Sequence, residues 1–98
     1  MKINCKLTAN TDTEIAVNQI IQKVFGLIVI GEVINGKISK GDFVNIENGE
    51  KEPIFDKVLT IEIFNETVLS AEKGKKIGIC LETIDKKSLL EYLEVEVL

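Results

Sequence analysis

The sequence predicts an all-β domain, either a barrel or a sandwich. Short runs rich in Ile and Val alternate with polar residues along much of the chain, and this period is typical of strands. Seven glycines separate these runs, which is the spacing of turns in a small β-fold. A chain of 98 residues and 10.9 kDa has the size of one domain, so we expect a single domain over residues 1–98.

The predicted elements follow one another with short connections. Asn35-Gly36 predicts a hairpin turn because both residues tolerate positive φ, and Gly41-Asp42 predicts a second turn. Asp85 is the expected N-cap of a helical turn over residues 85–91. The predicted strands cover residues 2–8, 27–34, 43–46, 54–64, 75–83 and 93–97.

Residues 13–25 admit two interpretations. Val17, Ile20, Ile21 and Val24 recur at the spacing of an amphipathic helix. The same residues are β-branched, which favours a strand. The residues alone leave the choice open, with the periodicity leaning to helix.

Composition excludes several chemistries. All 12 basic residues are Lys, and the chain has no His and no Arg. Without His there is no Ser-His or Cys-His nucleophile pair, and two Cys alone cannot complete a four-ligand structural zinc site. We therefore expect no enzyme activity, no cofactor and no metal site. The net charge of −4 confines any contact with nucleic acid to a local group of lysines.

The chain also lacks a targeting signal in its sequence. Its first residues contain no long apolar run, and no stretch reaches the ~20 apolar residues of a membrane-spanning helix. We expect a complete, cytoplasmic protein with no membrane contact.

A specific spacing begins at Gly26. The chain matches nearly every fixed position of the pattern G-x-V-V-x-G-x-V-x-x-G-x-I-x-x-G-D-x-V without gaps, with Gly26, Ile28, Val29, Gly31, Val33, Gly36, Ile38, Gly41, Asp42 and Val44. A second stretch is similar to the pattern G-I-E-M-F … A-G-x-x-V-G-V-x-L, although Thr60 replaces the first Gly. It comprises Thr60-Ile61-Glu62-Ile63-Phe64, then Val68, Ala71, Gly74 and the run Ile77-Gly78-Ile79-Cys80-Leu81. These motifs resemble domain 2 of translational GTPases such as elongation factor Tu. The likeness covers about residues 18–95.

The resemblance implies a fold. It implies a small closed antiparallel β-barrel of about six strands over residues 13–98, with residues 15–22 in the first barrel strand. We follow it there against the helical period. Residues 1–12 have no counterpart in the pattern and predict an extra N-terminal strand.

The resemblance also limits the function. In the full-length factors a separate domain with a P-loop hydrolyses GTP, and no G-x-x-x-x-G-K-[ST] occurs here. We expect no GTP binding by this chain alone. The family's aminoacyl cleft carries an Arg, a Thr and an aromatic residue where this chain has Phe25, Ile30 and Ile21, and its acidic residue and Asn become Lys75 and Lys76. The polar groups of that cleft are therefore replaced.

These observations predict a non-catalytic binding module. Its partner is a translation component, ribosomal RNA or protein, or another protein; the alternative is a structural or self-associating domain without nucleic-acid contact. Monomer and homodimer both stay open. The candidate contact residues are Phe25, Ile30, Lys37, Lys40, Lys73, Lys75 and Lys76, with solvated surface lysines as the simpler interpretation of the charges.

The remaining aromatic and thiol groups are expected to serve the fold. For most of Phe43, Phe55, Phe64 and Tyr92 we expect core packing, because they form no run with interleaved basic residues. Cys80 alternates with the inward set of its strand and is expected to be partly exposed.

Overall fold

The computed structural model describes residues 5–10, 12–23, 26–49 and 51–93. In chain order its elements are β1 (Lys6–Thr8), β2 (Glu14–Lys23), β3 (Gly26–Asn35), β4 (Lys37–Ser39), β5 (Phe43–Glu47), β6 (Ile54–Ile63), β7 (Glu66–Val68), β8 (Ser70–Glu72), β9 (Lys76–Leu81) and α1 (Lys86–Tyr92). The strand predictions for residues 2–8, 27–34, 43–46, 54–64 and 75–83 are confirmed to within one or two residues where the structure describes them. Of the predicted closing strand at 93–97 only Leu93 is described, and it is the C-cap of α1 rather than part of a strand.

Six strands close into a barrel. The sheet runs β5-β1-β2-β3-β9-β6, and a further pairing between β5 and β6 completes the ring. Every pairing in the ring is antiparallel. The predicted fold class is confirmed. The predicted N-terminal strand is β1, and it occupies the place in the ring between β2 and β5.

Two short additions flank the ring. Strand β7 extends β6 as a hairpin, and β4 pairs with β8 in a separate ribbon of two strands. The helix α1 begins after Asp85, whose side chain accepts a hydrogen bond from the Ser88 N–H at 2.7 Å, as predicted. Within the described residues, no helix has the length and apolar character needed to cross a membrane.

The barrel interior is filled by aliphatic side chains. The inward positions of the strands are occupied by Ile, Val and Leu, among them Leu7, Ile15, Val29, Val33, Ile46, Val58, Ile61 and Ile79, each at most 2% exposed. A barrel of six strands is narrow, so branched aliphatic side chains fill its interior and leave no space for aromatic side chains. The excess of Ile and Val in the composition is explained by this interior.

Strand β2 shows why its sequence looks helical. Ile15 and Val17 are buried, and the register against β3 shifts between Val17 and Gln19. This bulge inserts one residue, so Ile20 rather than Gln19 packs next against the core. The inward residues Ile15, Val17 and Ile20 are thus two and then three positions apart, which resembles the spacing of apolar residues in an amphipathic helix. The strand prediction for residues 15–22 is confirmed.

One glycine inside a strand marks a close approach between neighbouring backbones. A Cβ at Gly31 would lie 2.3 Å from the carbonyl oxygen of Ala16 on β2. Any side chain there would push the two strands apart. The family pattern thus places a glycine where the ring tolerates nothing larger.

Candidate binding site

Two adjoining features on the outside of the barrel collect most of the predicted contact residues. The first is a group of lysines at one end of the molecule, and the second is an apolar groove beside it. Neither feature contains a group of three or more Cys, Asp or Glu able to hold a metal ion, and none occurs elsewhere among the described residues. The two features offer charged side chains and apolar area.

The lysine end consists of Lys37, Lys73 and Lys75. Pairing of β4 with β8 sets Lys37 opposite Glu72. The N–H of Lys73 donates to the Gly36 carbonyl at 3.1 Å, so the β8–β9 turn lies against the β3–β4 turn. All three lysines are exposed. The fold thus brings together the turns that carry Lys37 and Lys73, which are 36 residues apart in sequence.

Lys40 lies at the other end of the same ribbon. It follows β4, and its N–H donates to the Leu69 carbonyl at 2.9 Å. Lys40 follows Lys37 by three residue steps of extended chain, a distance of about 10 Å. Lys40 is exposed and extends the positive surface along the ribbon rather than joining the lysine end.

The groove crosses the outer face of four strands. Pairing places Glu62, Gly78 and Ile30 in one row, and Cys80, Ile28 and Ile21 in the next. The missing side chain of Gly78 leaves the depression, since a Cβ there would lie 3.0 Å from Cγ2 of Ile28. The cavity has a volume of about 300 Å³ and is lined by Ile21, Ile28, Ile30, Glu62, Phe64, Asn65, Lys76, Ile77 and Gly78.

Predicted contact residues fall into these features unequally. Ile30 and Lys76 line the groove, and Lys37, Lys73 and Lys75 form the lysine end beside it. Phe25 lies outside the described residues. The groove also contains Ile28 and Phe64, which the sequence analysis did not single out for binding.

Phe64 is the most unusual residue of the groove. It is 95% exposed and has φ 51°, while Asn65 beside it has φ 64°. Ile63 pairs with Glu66, so the two residues form a two-residue hairpin loop. They are the only non-glycine residues with positive φ in the described part of the chain. A sequence signal existed, because Phe64-Asn65 interrupts the strand pattern where a turn residue is expected.

The prediction of core packing is wrong for three of the phenylalanines. Phe43, Phe55 and Phe64 are 71%, 72% and 95% exposed. Alternation turns Val44 and Val58 inward, so Phe43 and Phe55 point outward. Only Tyr92 of this set packs against the core, with its hydroxyl donating to the Glu52 carbonyl at 2.8 Å.

Phe43 and Phe55 form a second exposed patch, away from the groove. They are diagonal neighbours on β5 and β6, since Phe43 pairs with Lys57 and Asn45 pairs with Phe55. The Lys57 ammonium lies 5.8 Å from the centre of the Phe43 ring, within the range of a cation–π interaction.

The prediction of partial exposure is wrong for Cys80. As predicted, the side chain of Cys80 points to the opposite face of β9 from Ile77, Ile79 and Leu81. That outer face is covered at this position, and Cys80 is only 8% exposed. Gly26, Leu59 and Ile84 line the same shallow cavity. Burial raises the pKa of the Cys80 thiol above its usual value of 9.0, with a smaller contribution from the Glu62 charge. Cys80 is therefore a packed, protonated thiol.

Comparison with known proteins gives partial relatives. No family model matches the chain. It is 34% identical to a selenocysteine-specific elongation factor of Mus musculus over 64 residues, covering 65% of this chain and 10% of the relative. It is 33% identical to the apicoplast elongation factor Tu of Plasmodium falciparum over 75 residues, covering 70% of the chain and 18% of the relative.

A further relative gives a similar result. Identity to the chloroplastic elongation factor Tu of Coleochaete orbicularis is 38% over 64 residues, covering 65% of this chain and 15% of the relative. The chain thus matches less than a fifth of the length of each of these relatives.

Proposed function

We propose that this partial homologue of elongation factor Tu, whose closed six-stranded barrel fits a domain-2-like fragment, is a non-catalytic binding module that attaches to a component of the translation apparatus. The matched region is the barrel part of the relatives, which is not their catalytic part. Their names identify them as elongation factors. The same proposal includes a cytoplasmic location and no GTP binding by this chain alone.

The lysine end carries the proposal. Overall the chain has four more acidic than basic residues, yet the described turns bring Lys37, Lys73 and Lys75 to one end, where the nearby acidic residues include Glu72 opposite Lys37 and Asp12 beside Gly36. Such local concentration of one charge sign attracts a partner of the opposite sign even when the net charge is unfavourable. Ribosomal RNA and acidic ribosomal protein surfaces both have that sign.

Co-sedimentation with purified ribosomes tests the proposal. We expect binding at about 50 mM salt that weakens steeply towards about 200 mM. The variant Lys37→Glu/Lys73→Glu is expected to bind more weakly and to reduce the salt slope by roughly two if the partner is RNA. The matched control is Lys57→Glu/Lys87→Glu, which changes the charge equally on other surfaces.

Two results would contradict the proposal. One is the absence of co-sedimentation at low salt. The other is equal loss in the two double variants, which would assign the effect to net charge rather than to the lysine end. A fluorescent GTP analogue added to the same samples tests the nucleotide part, where we expect no saturable rise in anisotropy.

A further inference from the structure

Phe64 is poorly explained by folding. A bulky residue with positive φ is a steric outlier, and the aromatic ring gains nothing from burial because it is 95% exposed. Gly or Asn would suit both positions of this hairpin loop better. A side chain that costs the fold and stands open to solvent at the mouth of an apolar groove is best explained by a contact outside the chain.

The groove beneath Phe64 fits one large apolar side chain. Ile21, Ile28 and Ile30 form one wall, and Phe64 stands at the mouth. Gly78 supplies the floor. The wall is apolar, and the polar lining residues are Glu62, Asn65 and Lys76, so an aliphatic or aromatic protein side chain with charged neighbours fits the groove.

Charge is distributed unevenly around the groove. Lys76 lies where β9 begins, directly after Lys75 and close to the lysine end. Glu62 stands on the far wall, in the row of Gly78. Glu32 faces Lys76 across β3 and β9. Because Glu32 offsets Lys76, a negative group is attracted more strongly towards Lys75 than towards Lys76, and it is repelled at the Glu62 side.

We propose that the groove binds an extended segment of a partner protein that has one large apolar side chain and acidic residues on one side of it. The apolar side chain fills the space under Phe64, and the acidic residues lie over Lys76, Lys75 and the lysine end. Glu62 fixes the orientation, because it opposes an acidic group on the other side. This proposal rests on the function above and specifies the chemistry of its partner.

Synthetic peptides test the proposal directly. The probe is the capped peptide Glu-Glu-Asp-Gly-Phe-Gly-Ser, together with the reversed order Ser-Gly-Phe-Gly-Asp-Glu-Glu, since the direction of the segment is open. Binding is followed by amide chemical shifts of the labelled protein. We expect one of the two peptides to saturate shifts at Ile30, Lys76 and Gly78.

Two control peptides separate the anchor from the charge. Replacing the peptide's Phe by Gly, or its acidic residues by Lys, is expected to weaken binding at least ~10-fold in each case. Equal affinity of the Gly peptide would reduce the interaction to charge alone and overturn the proposal. Equal affinity of the Lys peptide would overturn it as well.

Protein variants assign the site. Phe64→Asn is expected to weaken peptide binding at least ~10-fold while the thermal midpoint stays unchanged or rises, a combination that a purely structural role of Phe64 does not produce. Lys76→Glu is expected to weaken the acidic peptide and to improve the Lys peptide. The matched control is Phe55→Asn, at the opposite end of β6 about 30 Å away. Unchanged affinity of Phe64→Asn would refute the site.

The failure of this proposal is distinguishable from failure of the proposed function. Ribosome binding without peptide binding would overturn the peptide partner and leave the binding module in place, with RNA as its target. Light scattering measures the oligomeric state of the unmodified chain and of Phe64→Asn, and one outcome would contradict the proposal. A dimer that becomes monomeric in Phe64→Asn would assign the groove to a second copy instead.

Discussion

Two turns of this barrel meet the same backbone requirement in opposite ways. The β3–β4 turn places Gly36 at φ 74°, and the β6–β7 turn places Phe64 at φ 51°. At Gly36 a Cβ would lie 2.6 Å from Oγ1 of Thr13, so the fold requires the glycine. At Phe64 the fold would gain from a smaller residue. Gly36 is therefore a turn residue that folding requires, whereas Phe64 is a turn residue whose presence we attribute to binding at the groove.

The largest expected effect is at Gly36. Gly36→Ala adds a side chain at positive φ and against Thr13, whose hydroxyl donates to the Lys37 carbonyl at 3.0 Å. We expect a loss of about 3 kcal/mol in the free energy of unfolding, measured by urea denaturation. Gly74→Ala is the control, because Gly74 has φ 93° with nothing within 4 Å of a Cβ, and it should cost about 1–2 kcal/mol. Equal losses would show that the contact with Thr13 is unimportant.

An effect of opposite sign is expected at Phe64. Phe64→Asn relieves the steric cost of positive φ and should raise the free energy of unfolding by about 1 kcal/mol. Urea denaturation of this variant beside Phe55→Asn, where no such relief exists, measures the difference. A destabilised Phe64→Asn would mean that the ring supports the fold, and the comparison between the two turns would fail.

The smallest effect is expected at the loop before α1. The hydrogen bond from the Ser88 N–H lowers the pKa of Asp85 below 3.8. Because the folded pKa is the lower one, the contribution to stability is present above about pH 4 and is lost as the pH falls through the folded value. Asp85→Asn keeps a capping side chain without the charge, so its α1 amide signals should change less on acidification. In the control variant Glu91→Gln, on the same helix, the α1 amide signals should change on acidification as they do in the unaltered chain.

The sequence predicted most of the fold. Gly26, Gly31, Gly36 and Gly41 have a spacing that only a few backbones require, and the alternation in residues 75–83 needs no long-range information. Strand β2 was harder, because the bulge after Val17 changes the phase of its apolar residues. A bulge depends on the neighbouring strand, and periodicity within one segment cannot predict it.

The site was only partly predictable. The lysines were named singly, but their grouping depends on the register of β4 with β8 and on the hydrogen bond between Lys73 and Gly36. Phe43 and Phe55 were assigned to the core because they form no run with interleaved basic residues. The interior of the six-stranded barrel is too narrow for them, and both side chains point outward. For Phe64 the sequence indicates only a turn, and its place at the groove follows from its positive φ and its exposure in the folded chain.

The position of β1 has a consequence for the order of folding. Its Leu7 lies opposite Ile15 on one side and Ile46 on the other. During synthesis β1 is made before β5, and the ring cannot close until β5 has followed. Until then β1, paired with β2 on one side, presents an unpaired edge to other chains. The three residues of β1 therefore join the two edges of the barrel. Deleting them would leave those edges open to mispairing, and the first sign would be aggregation during expression.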